Sequence, residues 1–83
     1  MKLLTIDDHA YTTGVVTDYC NMEKIYCKAV NDGQKGLFEI QKGHYDLILL
    51  DIAMPDYTGF DILKQLKKQG VTHETIVILT ALD

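Results

Sequence analysis

Several features that would indicate other classes of protein are scarce in this sequence. It has a single proline and shows no repeats, linkers or low-complexity segments, and its 47% hydrophobic content is typical of a folded protein, neither disordered nor membrane-bound. Its lysines form no basic stripe and its net charge is -4, so we expect no direct nucleic-acid binding. No apolar signal segment precedes the first predicted strand, which favours a cytoplasmic location.

Cysteine is also rare. Cys20 and Cys27 have neither a CxxC pattern nor the spacing of zinc ligands, so the sequence does not indicate a redox pair or a structural zinc site. We interpret both as small apolar residues of a reduced protein, one at a helix end and one in a strand. A chain of 83 residues then has room for one small domain, residues 1–83.

Apolar patterning predicts four strands alternating with three helices. The strands are short apolar runs at 2–6, 24–30, 46–51 and 75–80. Apolar residues three and four apart predict helices from residue 9 to about 20, from the turn at 31–33 to Gly43, and from about residue 60 to Gly70. This βαβαβαβ order implies an α/β fold, with parallel strands, right-handed crossovers and helices on both faces of the sheet.

The second and fourth strands differ in their expected positions. Lysines flank and interrupt the second strand, which suits an edge, whereas the fourth is apolar on both faces, as interior strands are. The sequence stops just after this fourth strand. An interior type of strand without a neighbour offers unpaired N–H and C=O groups, so a homodimer through the fourth strand is one expectation.

Acidic residues follow two of the buried strands. Asp7 and Asp8 come after the first strand, and Asp51 follows the apolar run at 47–50. Since neighbouring parallel strands end at the same edge of a sheet, the three carboxylates are expected to converge and to need a neutralising cation. Mg²⁺ fits this small oxygen cluster better than the larger ligand cage of calcium. Zinc is disfavoured, because His9 alone supplies nitrogen nearby.

Phosphoryl chemistry follows from this arrangement. A carboxylate beside Mg²⁺ can attack phosphorus, and Asp51 is the best candidate for such a nucleophile. Thr80, at the end of the adjacent strand, could hydrogen-bond a phosphoryl oxygen on Asp51. There is also a purely structural interpretation, in which Asp8 caps the following helix and His9 is a surface or capping residue.

Three motifs stand together in this chain. They are Ile6-Asp7-Asp8-His9, Leu49-Leu50-Asp51-Ile52-Ala53-Met54-Pro55 with Gly59, and Ile78-Leu79-Thr80-Ala81. In combination they closely resemble the receiver domain of two-component response regulators, the CheY-like family, over essentially the whole chain. The resemblance implies a flavodoxin-like sheet of strand order 2-1-3-4-5. It also implies that residues 1–83 are a partial receiver, lacking the family's fourth helix, its fifth strand with an active-site lysine, and its fifth helix.

The resemblance also assigns roles to individual residues. Asp51 would accept a phosphoryl group from the phosphohistidine of a histidine kinase or a phosphotransfer protein. Asp8 would bind Mg²⁺ directly, Asp7 mainly through water, and the backbone carbonyl of Ala53 would complete the protein ligands. Thr80 would be the switch hydroxyl. The protein would catalyse only its own phosphorylation and dephosphorylation, and its signal would pass to an output domain or protein.

Two other functions stay open. The chain could be a truncated receiver that self-associates as an interaction or structural module, with little or no phosphotransfer. An aspartate-based phosphohydrolase is a weaker alternative, because it would need a second carboxylate two residues beyond Asp51, where Ala53 stands.

Overall fold

The strands and helices alternate as predicted. The computed structural model describes residues 1–54, 57–70 and 75–79. Its elements are β1 (Lys2–Ile6), α1 (Ala10–Met22), β2 (Tyr26–Val30), α2 (Gly33–Lys42), β3 (Leu47–Asp51), α3 (Gly59–Gln69) and β4 (Thr75–Leu79). Thr80, predicted to end the fourth strand, lies outside the described residues. No helix within the described ranges is both long and apolar enough to cross a bilayer.

The sheet is parallel and has the strand order β2-β1-β3-β4. The chain moves from β1 to β2 in one direction and from β2 to β3 to β4 in the other. Because such crossovers are right-handed, α1 lies on one face and both α2 and α3 lie on the opposite face. The edge position of β2 is confirmed, and within the described sheet β4 forms the other edge.

The hydrophobic core lies between the sheet and the pair α2 and α3. Alternate strand residues point to this face, and those of β1 and β3 that do so have no exposed surface. They are Leu4, Ile6, Ile48 and Leu50. Ile40 of α2, together with Ile62 and Leu66 of α3, completes this layer. The core therefore fixes the two central strands whose ends carry the acidic residues.

The apolar positions of α1 are less buried than their spacing predicts. Cys20 is buried, but Tyr11, Val15, Tyr19 and Met22 are between 51% and 85% exposed. These four residues form a stripe along the helix at spacings of four, four and three. Apolar spacing therefore identifies the helix correctly but does not fix its buried face, because α1 packs against β1 and β2 along a narrower line than the apolar pattern suggests.

The ends of α2 and α3 follow the expected capping chemistry. The side chain of Asp32 accepts a hydrogen bond from the Lys35 N–H at 2.8 Å, which caps α2. Thr58 and Asp61 form a capping box at the start of α3. Gly70 ends α3 with φ 74°, a left-handed conformation that glycine adopts without strain.

The capping box predicts a pH dependence of stability. Hydrogen bonds from the Thr58 N–H and hydroxyl to the Asp61 carboxylate, 2.9 and 3.1 Å long, hold the pKa of Asp61 below its ordinary 3.8. Asp61 then stabilises the folded protein above pH 3.8, and this contribution is lost as the pH falls through the folded pKa. We expect Asp61→Asn to unfold at a lower urea concentration than wild type at pH 7. The two midpoints should converge in acid, and a constant difference would contradict the prediction.

The two cysteines lie in contact between α1 and β2, both as free thiols. Burial of Cys27, and then its hydrogen bond with Cys20, raises the pKa of Cys27 from 9.0 to about 11. Since only the thiolate reacts, iodoacetamide at pH 8 should alkylate Cys27 more slowly in the folded chain than in denaturing urea. Mass spectrometry of the modified peptide measures both rates, and equal rates would contradict the prediction.

Candidate functional site

The carboxyl ends of β1 and β3 bring the predicted acidic residues together. Ile6 pairs with Leu50 in the sheet, so Asp7 and Asp51 each follow one residue later on adjacent strands. Asp7, Asp8, His9 and Asp51 each place one oxygen or ring nitrogen within 4.8 Å of the others. Three formal negative charges therefore share a volume about the size of a metal-binding site.

Asp51 is the most unusual member of this group. It is only 3% exposed, and its Oδ1 accepts a hydrogen bond of 2.9 Å from the Ala53 N–H. Its Oδ2 is buried and has no hydrogen-bond partner among the residues that the structure describes. A buried carboxylate oxygen without a hydrogen bond is energetically costly, and the ring nitrogen of His9 approaches it only to 3.7 Å, so a bound cation would stabilise this atom.

Asp7 and His9 organise the start of α1. The Oδ1 of Asp7 accepts hydrogen bonds from the backbone N–H of His9 at 2.9 Å and from its Nδ1 at 3.0 Å. His9 is the N-cap residue of α1. The interpretation that Asp8 caps this helix is therefore wrong. The carboxylate of Asp8 instead stays within the acidic cluster, at 3.2 Å from His9 Nδ1.

The ring of His9 lies within this cluster. Its Nδ1 is 3.0 Å from Asp7 Oδ1, 3.2 Å from Asp8 Oδ1 and 3.7 Å from Asp51 Oδ2. The hydrogen bond to Asp7, followed by the charge of Asp8, raises the pKa of His9 above 6.5. The prediction that His9 is a surface or capping residue whose nitrogen lies near the acids is confirmed, because His9 is the N-cap of α1 and its side chain is 58% exposed. The signal for this placement was its position directly after two aspartates at a strand end.

A pocket of about 430 Å³ adjoins the acidic cluster. It is lined by Asp8, Asn31, Asp32, Gly33, Gln34, Met54 and Tyr57. A Cβ atom at Gly33 would collide with the backbone carbonyl oxygen of Tyr57 and lie 2.8 Å from its Cδ2. The turn before α2 and the loop before α3 therefore close one wall of the pocket by direct contact.

The donor atoms of the cluster suit a divalent cation. Carboxylate oxygens are the ligands that Mg²⁺ prefers, and Asp51, whose Oδ2 has no hydrogen-bond partner among the described residues, lies in one cluster with the other two acids. Ala53, the fourth predicted ligand residue, lies two residues after Asp51 and donates its N–H to it. Thr80, the predicted switch hydroxyl, lies outside the described residues.

Comparisons with known proteins agree with this fold. The family model of the response regulator receiver domain matches residues 3–83. Transcriptional regulatory protein CiaR of Streptococcus pneumoniae is 37% identical over 81 residues, covering 98% of this chain and 35% of CiaR. A Francisella response regulator receiver domain superposes with a TM-score of 0.88 at 33% identity, covering 99% of this chain and 67% of that domain.

The response regulator TrrA of Thermotoga maritima has been solved with Mg²⁺ and BeF. It has a TM-score of 0.86 at 26% identity, covering 99% of this chain and 70% of TrrA. TrrA has also been solved in complex with the histidine kinase ThkA. The chain thus spans about a third of CiaR and about two thirds of each of these two receivers. Its fold is the predicted flavodoxin-like, CheY-like parallel sheet, and the chain belongs to the response regulator receiver domain family.

Proposed function

We propose that this chain accepts a phosphoryl group on Asp51 from the phosphohistidine of a histidine kinase or a phosphotransfer protein. The observation that carries the proposal is the buried Oδ2 of Asp51, which has no partner among the described residues and adjoins Asp7 and Asp8. The solved complexes of TrrA with Mg²⁺ and BeF and with a histidine kinase support it. The chain would thus work in two-component signal transduction.

The proposed cofactor is Mg²⁺. Asp8 and Asp51 would hold it directly, Asp7 mainly through water, and the backbone carbonyl of Ala53 would complete the protein ligands. When bound, the ion supplies positive charge that offsets the charge of the incoming phosphoryl group. Like-charge repulsion within the acidic cluster is relieved in the same way.

The residues of the chain perform the remaining steps. A carboxylate oxygen of Asp51 attacks phosphorus, the P–N bond to the donor imidazole breaks, and the electron pair of that bond returns to the imidazole nitrogen. The Ala53 N–H holds Oδ1 and so fixes the orientation of the carboxylate. The proposed switch hydroxyl is that of Thr80. The chain would catalyse only its own phosphorylation and dephosphorylation, in the cytoplasm, and would signal to an output domain or protein.

Acetyl phosphate tests the proposal directly. With Mg²⁺ present, we expect intact-mass spectrometry to show the addition of one phosphoryl group to the wild-type chain. Chelation of Mg²⁺ with EDTA should abolish the addition because it removes the cation. The change Asp51→Asn should abolish it because it removes the nucleophile. Asp18→Asn is the matched control, since it neutralises an exposed aspartate on α1 and should leave the addition intact.

Two results would contradict the proposal. One is phosphoryl addition that persists in Asp51→Asn, which would assign the acceptor to another residue. The other is a folded wild-type chain that binds Mg²⁺ but is modified neither by acetyl phosphate nor by a beryllofluoride mimic.

A second candidate function is self-association through β4. Within the described sheet β4 pairs with β3 alone, so the backbone groups along its other side have no strand partner there. A homodimer would extend the sheet across this edge. Light scattering coupled to size exclusion should then show a dimer whose fraction rises with protein concentration. A monomer at all concentrations would contradict this candidate and leave the phosphoacceptor proposal intact.

A further inference from the structure

An imidazole nitrogen lies inside the acidic cluster that we propose as the cation site. We propose that His9 Nδ1 is an additional ligand of this cation. It strengthens the binding of divalent ions that accept nitrogen ligands, such as Mn²⁺ and Ni²⁺, but not the binding of Mg²⁺. This inference rests on the cation site of the proposed function. It concerns which ions that site selects.

The observed distances suit shared coordination. His9 Nδ1 is 3.0 Å from Asp7 Oδ1, 3.2 Å from Asp8 Oδ1 and 3.7 Å from Asp51 Oδ2. Two ligand atoms that are each about 2.1 Å from one ion lie roughly 3.0 Å apart in adjacent octahedral positions and roughly 3.4 Å apart in a tetrahedron. The four atoms therefore need only small shifts to share an ion.

The unpartnered oxygen of Asp51 is independent support for a ligand at this place. Asp51 is 3% exposed, and no described residue donates a hydrogen bond to its Oδ2. At 3.7 Å, His9 Nδ1 is too distant to serve as that donor. An ion between these two atoms would satisfy both.

The backbone holds the histidine ring in position. The His9 N–H bonds to Asp7 Oδ1 at 2.9 Å, and His9 occupies the N-cap of α1 with extended φ and ψ angles. The side chain is 58% exposed, so Nε2 can stay protonated and donate a hydrogen bond to water while Nδ1 binds the metal. Coordination then replaces the hydrogen bond between Nδ1 and Asp7 and needs no movement of the helix.

The ligand set determines which ions benefit. Mg²⁺ prefers oxygen and gains little from an imidazole, whereas affinity for mixed nitrogen and oxygen sites rises from Mn²⁺ to Ni²⁺. Removing His9 should therefore weaken Ni²⁺ binding strongly while leaving Mg²⁺ binding unchanged or slightly tighter. If His9 were purely structural, its removal would change the affinities for the two ions equally.

Calorimetric titration of the untagged chain with NiCl₂ and, separately, with MgCl₂ tests this difference. We expect His9→Ala and His9→Gln to lower Ni²⁺ affinity about tenfold or more, since the loss of an outer-shell partner alone weakens metal binding on that scale. Mg²⁺ affinity should not fall. His44→Gln is the matched control, because it removes an exposed imidazole before β3 and should preserve both affinities.

Pulsed electron paramagnetic resonance gives a direct readout of the ligand. The Mn²⁺-loaded wild-type chain should show modulation from a coordinated ¹⁴N nucleus, and His9→Gln should not. Unchanged Ni²⁺ affinity in both His9 variants, or no ¹⁴N coupling in wild type, would overturn the inference. If Mg²⁺ binding and phosphoryl addition to Asp51 persist in that case, the proposed function stands. If the wild-type chain neither binds Mg²⁺ nor accepts a phosphoryl group, the proposed function itself is refuted.

Discussion

Gly59→Ala should lower the free energy of unfolding by about 1–3 kcal/mol, the usual cost of inserting an atom into filled space. A Cβ at this position would lie 2.7 Å from the Ile52 Cα and 2.9 Å from the Asp51 carbonyl oxygen. Both are backbone atoms and cannot turn aside, so the backbone at the end of β3, which carries Asp51, must move. We therefore also expect slower phosphoryl addition from acetyl phosphate. Urea denaturation measures the first effect and intact mass against time the second.

Gly14→Ala is the matched control for this prediction. Gly14 lies inside α1, and no described atom is within 4 Å of the position that its Cβ would occupy. Because alanine has the higher helix propensity, this change should stabilise the fold by about 0.5–1 kcal/mol. Equal stabilities of the two variants would show that the contact between Gly59 and the Asp51 backbone is not restrictive.

Asp7→Asn should change how the protein responds to Mg²⁺. At a concentration of about 100 times Kd, a ligand specific for the folded state adds about 2.7 kcal/mol of stability. Wild type should show a gain of this size, and Asp7→Asn much less, because one carboxylate of the cation site is gone. Without metal, Asp7→Asn should be more stable than wild type, since the variant has one fewer negative charge beside Asp8 and Asp51.

Thermal unfolding in EDTA and in excess MgCl₂ measures both effects. Asp18→Asn, which neutralises an exposed carboxylate on α1, should behave like wild type in both solutions. If Asp7→Asn gains as much stability from Mg²⁺ as wild type does, Asp7 is not part of the cation site.

The ends of α2 and α3 could be predicted because their determinants are local. Asp32 lies three residues before Lys35, whose backbone N–H donates a hydrogen bond to the Asp32 side chain, and Gly70 stops α3 through its own backbone conformation. The convergence of Asp7 and Asp51 followed from a general property of parallel strands. Each of these predictions depends on a rule that neighbouring residues, or strand order alone, can satisfy.

Predictions that depended on packing partners were less successful. Apolar spacing identified α1 as a helix, but it could not show that Val15 and Tyr19 would stay more than half exposed. The role of Asp8 likewise depends on which carboxylate reaches the helix N-terminus. Asp7 does so, and this frees Asp8 for the cluster and places His9 Nδ1 among the acids.

The close approach of Gly33 to Tyr57 limits any redesign of the pocket. The colliding atom is a backbone oxygen, so no choice of side chain at position 57 can make room for a larger residue at position 33. A designer who wishes to change this pocket, which Asp8 of the acidic cluster lines, must therefore keep glycine at 33 and vary the other lining positions, such as Gln34 and Met54. Sequence libraries built on this chain should leave position 33 fixed.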